Sequence, residues 1–296
     1  MDVSIVIRTK NEEEFIDATL RRVNEQEFGG SYEIIVVDSD STDSTLHIIK
    51  KYNVKLLQIP QQEFTYGHSL NIGASNAKGT FIVNLSAHAL PRDKKWLTNL
   101  IKGFEDHNVA GVYGRQLSIG LVNPYEALLN EMFFGKNKVN FTLKDKKRLK
   151  KIHFTNSNAA VRKDVWQGFK FNERVPYGED MLWQSEVIKA GFCIVYTPDA
   201  AVYHTHRLSI SSVYKNSVNC AYTLALINQK RQWISLIAVD VALFLGLVPI
   251  SLIQNLEYIW RNGYKQYAKV APLWVLSTVG GSLVGRIKYR LRRPLW

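Results

Sequence analysis

Cysteine is scarce in this chain. Cys193 and Cys220 are the only two, they form no CxxC pair, and they give no disulfide framework, so a reduced, cytoplasmic setting is expected. Acids are also short relative to bases, with 26 Asp and Glu against 38 Lys and Arg and a formal charge of +12. That imbalance favours anionic partners such as nucleic acid, anionic lipid or phosphorylated substrates. No nucleic-acid-binding motif accompanies the charge, so nucleic acid is not expected as a partner. The opening MDVSIVIRTKNEEEF lacks the charged start and apolar stretch of a secretory signal. There is no GxGxxG and no GxxxxGKS or GxxxxGKT, which argues against a Rossmann dinucleotide site and a P-loop ATPase. No internal repeat is visible.

What is present is a folded chain of 296 residues, 46% apolar, long enough for one large or two modest domains. Strand and helix patterns alternate through its first part. VSIVIRT, YEIIVVDSDST, VKLLQIP and TFIVNLS read as short, nearly continuous apolar strands. Between them, NEEEFIDATLRRVNEQ has helical spacing, STDSTLHIIKKY opens on capping residues, and HSLNIGASNAKG is expected to end on Gly79 as a C-cap. Such alternation predicts an α/β fold with a parallel sheet and right-handed crossovers. Beyond Trp96 come a further helix, the strand VAGVYGRQLS and a longer irregular region, then NSNAAVRKDVW and GEDMLWQSEVIKAGF as a strand and a helix, and CIVYTPDAAVYHTH as short strands.

The character shifts near Ser211. Residues 233–253 are almost continuously apolar, broken by Asp240 and Pro249, and APLWVLSTVGGSLVG is a second, shorter apolar stretch. Two helices apolar on every face need lipid or protein to cover them, and about 80 residues supply little protein. The basic tail GRIKYRLRRPLW follows, a charge pattern suited to a membrane surface. A domain at 1–210 and a helical, membrane-associated region at 211–296 are expected. The other basic block, residues 136–151, is either a solvated face or part of an anion site.

Two places carry candidate chemistry. Asp38 ends the second strand, where a carboxylate can accept from a base N–H or a ribose hydroxyl, or simply cap the helix that follows. In VPYGEDMLWQSE, Glu179 and Asp180 open a helix behind a Pro–Gly turn. Acids there are stabilised by the helix dipole, and one of them can serve as a general base held on a rigid element.

Taken in order, SIVIRTKNEEEFIDATL, EIIVVDSDSTDST, NIGASNAKGTFIVNLSAHALPRDKKWL, GVYGRQ, VPYGEDMLW and VYHTH resemble a family 2 glycosyltransferase of the GT-A fold, over residues 1 to about 210. FTYGHSLNIGASNAKG, ALPRDKKWL and YGRQ resemble its rhamnosyltransferase-like branch, whose members build surface polysaccharides. The resemblance implies that Thr9 and Glu12 line the nucleotide, Asp38 contacts base or ribose, and Arg115 meets donor or acceptor. It makes Asp180 the catalytic base beside Glu179, and puts His204 or His206 where a metal or diphosphate site is completed. It implies an inverting transfer from a nucleotide-sugar donor, of rhamnose or another hexose, to a glycan or polyprenyl-diphosphate-linked acceptor at the cytoplasmic face of a membrane, with peripheral or monotopic attachment. The QxxRW pattern of processive members is absent; QSEVI follows the acid pair instead.

One position departs from the family. Where relatives carry acid, any residue, acid at the end of the fourth strand, this chain has Ser86 and His88. Either His88 helps His204 or His206 hold a divalent metal such as Mn²⁺ or Mg²⁺, or the site works without metal and His88 donates to the diphosphate. A packing role against the helix of Trp96 is the third reading. Two other functions stay open at this level: a nucleotidyltransferase, although RTKNEEEF is not the basic, glycine-rich loop it would need, and a non-catalytic membrane scaffold that kept the fold.

Overall fold

The computed structural model describes residues 1–118, 124–144, 153–175, 177–204, 209–227 and 237–291. The strands are β1 (Val3–Thr9), β2 (Tyr32–Asp38), β3 (Lys55–Gln58), β4 (Phe81–Ser86), β5 (Ala89–Pro91), β6 (Val109–Leu117), β7 (Val139–Phe141), β8 (Asn158–Arg162) and β9 (Cys193–His204). The helices are α1 (Ile16–Asn24), α2 (Thr45–Ile49), α3 (Tyr66–Ser75), α4 (Trp96–Ile101), α5 (Pro124–Phe133), α6 (Lys163–Gly168), α7 (Glu179–Lys189), α8 (Ile210–Ile227), α9 (Ile237–Arg261) and α10 (Ala271–Arg290). They fall into two compact units. One is Met1–Ile119, Phe133–Val175 and Glu179–Thr205; the other is Gly120–Met132, Pro176–Gly178 and His206–Trp296.

The first unit holds one sheet, in the order β3-β2-β1-β4-β8-β6-β9-β5, with β7 on β9. β1 alternates cleanly between its faces. Ile5 and Ile7 join Leu20, Val36, Leu85, Trp96 and Leu97 in one core. Val6 joins Leu70, Ala74, Tyr113, Phe154 and Trp183 in the other. The sheet is mixed: β8 runs antiparallel to both β4 and β6. Its residues are buried on both faces, and a strand covered on both sides carries the same apolar composition whichever way it runs. Because β8 is reversed, β6 again points the same way as β1. The C-terminal ends of β1, β2, β4, β6 and β9 therefore gather at one edge of the sheet, the edge where α/β sheets bind ligands.

Two local expectations are corrected. α3 stops at Ser75 with Asn76 as its C-cap, so Gly79 is not the cap. A Cβ on Gly79 would stand 2.5 Å from the backbone of Val3 and Ser4; this glycine lets the chain cross β1 closely. The segment expected as short strands is one twelve-residue strand, β9. It shifts register against β6 between Gly114 and Gln116, where a side chain on Gly114 would collide with Ala200 and Asn158.

In the second unit α10 packs on α8 through glycine. A Cβ on Gly281 would lie 2.7 Å from the Tyr214 carbonyl oxygen, and one on Gly285 would strike Val218, so the helices meet backbone to backbone. Asp240, the acid that interrupts the apolar run, is 4% exposed. It accepts from Arg290 Nε at 2.6 Å and lies 3.6 Å from Arg286. That pairing ties the start of α9 to the end of α10. Residues 240–261 of α9 are long and apolar enough to cross a membrane, at mean hydropathy 1.5, and little of their surface is covered. Leu245 and Ile253 are each 65% exposed.

Candidate active site

The sequence-predicted residues of the first unit collect along the shared edge. Thr9 and Asp38 end neighbouring strands and face each other in register. Thr9 is 5% exposed, and its hydroxyl is shielded without a hydrogen-bond partner. Asp38 is fully buried. Its carboxylate accepts from the Ser41 backbone N–H at 3.0 Å and from the Ser41 hydroxyl. The helix-cap alternative does not hold, because α2 starts behind Ser44; Asp38 closes the preceding turn. The N–H of Glu12 donates to Thr45 Oγ1 at 2.8 Å, anchoring the loop after β1. The Glu12 carboxylate lies 2.7 Å from His88 Nδ1.

His88 is placed by β5. Ala89 pairs with His204, so the neighbouring His88 ring lies flat on the His204 ring, with centroids 4.9 Å apart and planes 6° from parallel. Ser86 Oγ sits 3.2 Å from His88 Nε2, and His204 Nδ1 lies 2.9 Å from Gln116 Oε1. His206 falls outside the described residues, as does most of the basic block at 136–151. An imidazole holds a metal ion in its own plane along a nitrogen lone pair. Two stacked, parallel rings cannot both aim at one ion. Among the described residues, no three His, Cys, Asp or Glu side chains are gathered for a metal. The arrangement of His88, His204 and Glu12 does not fit a shared metal ion.

The acid pair stands at the start of α7. Gly178 turns the chain with φ at +82°, a conformation few side chains tolerate. Asp180 accepts from the Met181 N–H at 2.8 Å and from the Asn156 N–H at 3.3 Å. The Asn156 amide donates to Glu179 at 3.2 Å and accepts from Asn84 at 3.0 Å. Burial, and then the charge of Glu179, push the Asp180 carboxyl well above the usual carboxylate range; the two backbone N–H donors and the Arg8 charge pull the other way. A buried carboxyl with a raised pKa can take up a proton near neutral pH. Arg115, on β6, has a shielded Nε without a hydrogen-bond partner, and its charge reaches Tyr196.

Three residues here were not singled out from the sequence. Asn84 and Asn156 orient the acids, and their only signal was an amide inside each of the buried stretches TFIVNLS and TNSNAAV. Arg8 stands near Asp180, and its signal was plain: a cation at the end of an apolar strand.

Comparison with known proteins adds the following. A family model described as glycosyl transferase family 2 matches residues 4–169. The O-antigen chain rhamnosyltransferase WbaN of Salmonella anatum is 33% identical over 179 residues, covering 59% of this chain and 57% of that protein. RfbN of Salmonella typhimurium, also an O-antigen chain rhamnosyltransferase, is 27% identical over 212 residues, covering 70% and 67%. The chain thus spans little more than half of WbaN. Among solved structures, the mannosyltransferase PcManGT of Pyrobaculum calidifontis, in complex with GDP-Man and Mn²⁺, superposes with a TM-score of 0.64 at 16% identity, covering 99% of this chain and 88% of that one. TarS of Staphylococcus aureus gives 0.58 at 22%, covering 76% and 40%. The fold is that of these GT-A neighbours.

Proposed function

The chain belongs to glycosyl transferase family 2, and on that premise we propose that it transfers a sugar from a nucleotide-sugar donor to a growing surface glycan, with inversion. The observation that carries this is the meeting, at one sheet edge, of a nucleotide end (Thr9, Asp38) with an acid pair on a helix start, Glu179 buried and Asp180 partly so. Asp180 takes the proton of an acceptor hydroxyl. The freed oxygen attacks the anomeric carbon as that carbon's bond to the diphosphate oxygen breaks, and the electron pair leaves with the phosphate. Burial first, and then the charge of Glu179, held by Asn156, keep the Asp180 carboxyl basic. His88, hydrogen-bonded to Glu12, presents its ring to the departing diphosphate, and Arg115 meets the donor or acceptor.

The two Salmonella relatives named as O-antigen chain rhamnosyltransferases favour a deoxyhexose donor and a lipid-linked glycan acceptor. The test is release of nucleoside diphosphate from a panel of sugar nucleotides, dTDP-rhamnose first, with a polyprenyl-diphosphate-linked acceptor. Acceptor-dependent release supports the proposal. Nucleotide binding without turnover of any donor would favour a scaffold.

Asp38 is assigned to base or ribose. Asp38→Asn keeps an acceptor for Ser41 and removes the charge. Nucleoside diphosphate affinity is expected to fall by about 1–3 kcal/mol, the range for a hydrogen bond to a charged group, with a melting temperature close to the parent's. Calorimetric titration and thermal melts decide it; a drop in melting temperature with unchanged affinity would leave Asp38 as a turn residue.

We assign the chemistry to residues 1–210 and membrane contact to 211–296, at the cytoplasmic face. The α9–α10 hairpin carries cations at both ends: Arg261, Lys265 and Lys269 at one, Arg286 and Lys288 at the other, where Arg290 is buried against Asp240. Cations at both ends suit a hairpin lying flat on anionic headgroups, where a cation near the surface contributes about 1 kcal/mol. Leu245→Glu with Ile253→Glu in the full chain is expected to abolish flotation with phosphatidylglycerol vesicles while leaving helix content and nucleotide affinity unchanged. Flotation equal to the parent's would move membrane contact to another surface.

A further inference from the structure

Arg8 is unaccounted for by the roles assigned so far. It continues the face of Val6 along β1, which turns it toward the side covered by α3 and α7. Its backbone lies between Val37 of β2 and Ser86 of β4. It thus stands one residue from Thr9 and beside the strand that leads to His88. Its guanidinium rests over the ring of Tyr66, the first residue of α3, at 5.0 Å. Its Nε is shielded from solvent and has no hydrogen-bond partner. No carboxylate among the described residues lies within ion-pair distance of it, although its charge is felt at Asp180.

A guanidinium is always charged, and its fork of donors matches phosphate oxygens. One held half-buried, with a donor turned from water and no acid in contact, is set up for an anion that arrives from outside. Position narrows which anion. Thr9 and Asp38 mark one end of the site and Asp180 the other. The bond that breaks joins the anomeric carbon to a phosphate oxygen, and that phosphate must lie between the two ends.

We propose that Arg8 binds the sugar-proximal phosphate of the donor, on the Tyr66 platform, and takes up the charge that develops there as the bond to the sugar breaks. This rests on the nucleotide-sugar reading above. It makes Arg8 a contact to the leaving group, distinct from His88, which approaches from the β4–β5 turn. A neighbouring cation also favours the ionised form of Asp180, so the same side chain couples the base to the leaving group.

The test compares affinities of the full-length parent, Arg8→Gln and Arg8→Lys for UDP, GDP and dTDP and for UMP, GMP and dTMP. For whichever base binds, the preference for diphosphate over monophosphate should shrink about tenfold or more in Arg8→Gln, equivalent to roughly 1.4 kcal/mol, while monophosphate affinity stays within about twofold. Arg8→Lys, which keeps the charge and loses the fork, should fall between. The acid limb of turnover should move to higher pH in Arg8→Gln, because Asp180 loses a stabilising cation. If Arg8→Gln does not fold, Arg8→Met, which keeps the packed stem, takes its place. An unchanged preference in a folded variant, or equal loss of both nucleotides, overturns the assignment. If the parent binds none of the three diphosphates, the nucleotide-sugar reading itself fails and Arg8 falls with it.

Discussion

Asp180→Asn is expected to lower turnover by on the order of 10²–10⁴-fold, the usual contribution of a general base, with nucleoside diphosphate affinity retained. The amide keeps an acceptor for the Met181 or Asn156 N–H, so the start of α7 stays in place. Stability should move the other way. The folded-state pKa of Asp180 lies above its unfolded value, so the folded chain holds this proton more tightly. Its relative stability is full below the unfolded pKa of about 4 and is lost as pH rises through the folded pKa. The variant carries no such titration. Its melting temperature should overtake the parent's as the buffer is taken from pH 5 to pH 9, which a melt series reads directly. In the parent, turnover should climb with pH over a range above that of an ordinary carboxylate. Full activity in Asp180→Asn would transfer the role to Glu179. A melting difference that does not change with pH would mean that Asp180 is not held protonated in the folded state.

Loss at His88 should be of comparable size and depends on what is put there. With the ring donating to the diphosphate, His88→Asp sets a negative charge against the phosphates and should cost about 10²-fold or more in turnover, in the range for removing a preorganised donor. His88→Asn keeps a donor and should retain a fraction of the rate, and EDTA should leave the parent unaffected. A metal-dependent site gives the opposite set: EDTA abolishes activity, added Mn²⁺ restores it, and His88→Asp stays active because a carboxylate is a harder ligand. A fully active, chelator-resistant His88→Ala would leave the ring as packing. The stacked geometry with His204 favours the first set.

Much of this was readable in the sequence because burial writes itself into composition. β1, β2, β4 and β6 appear where apolar runs predict them, and the acid pair opens α7 as the Pro–Gly turn suggested. Direction was not readable. β8 is apolar on both faces, and nothing in NAAVR says that it runs against β4. Partnership was not readable either. Asp240 looked like a defect in an apolar helix, yet its counter-ion lies fifty residues on, at Arg290. The stack of His88 on His204 follows from the pairing of β5 with β9, and β5 is too short to announce itself. Arg8 was missed for the opposite reason: its signal was local and clear, but a cation ending a strand has no meaning until its neighbours across the sheet are known.

The placement of β9 has a consequence for how the enzyme is made. Among the described residues it is the last strand of its unit in the chain, yet it lies between β6 and β5 and is the one strand paired with β5. A nascent chain leaves the ribosome N-terminus first, at about 5–20 residues per second. β1, β2, β3 and β4 can zip together through short crossovers as soon as residue 86 emerges. β5 then waits until His204 has been made, a delay on the order of ten seconds at those rates. Through that interval the half-built sheet carries Thr9 and Asp38 with no acid pair opposite them, and β4 shows an open hydrogen-bonding edge until β8 arrives. Such an edge invites pairing with other chains. Nascent chains arrested between residues 100 and 150 are therefore expected to recruit chaperones most strongly; β4's edge closes when β8 arrives, while β5 stays unpaired until the strand that positions the histidine stack is threaded into place.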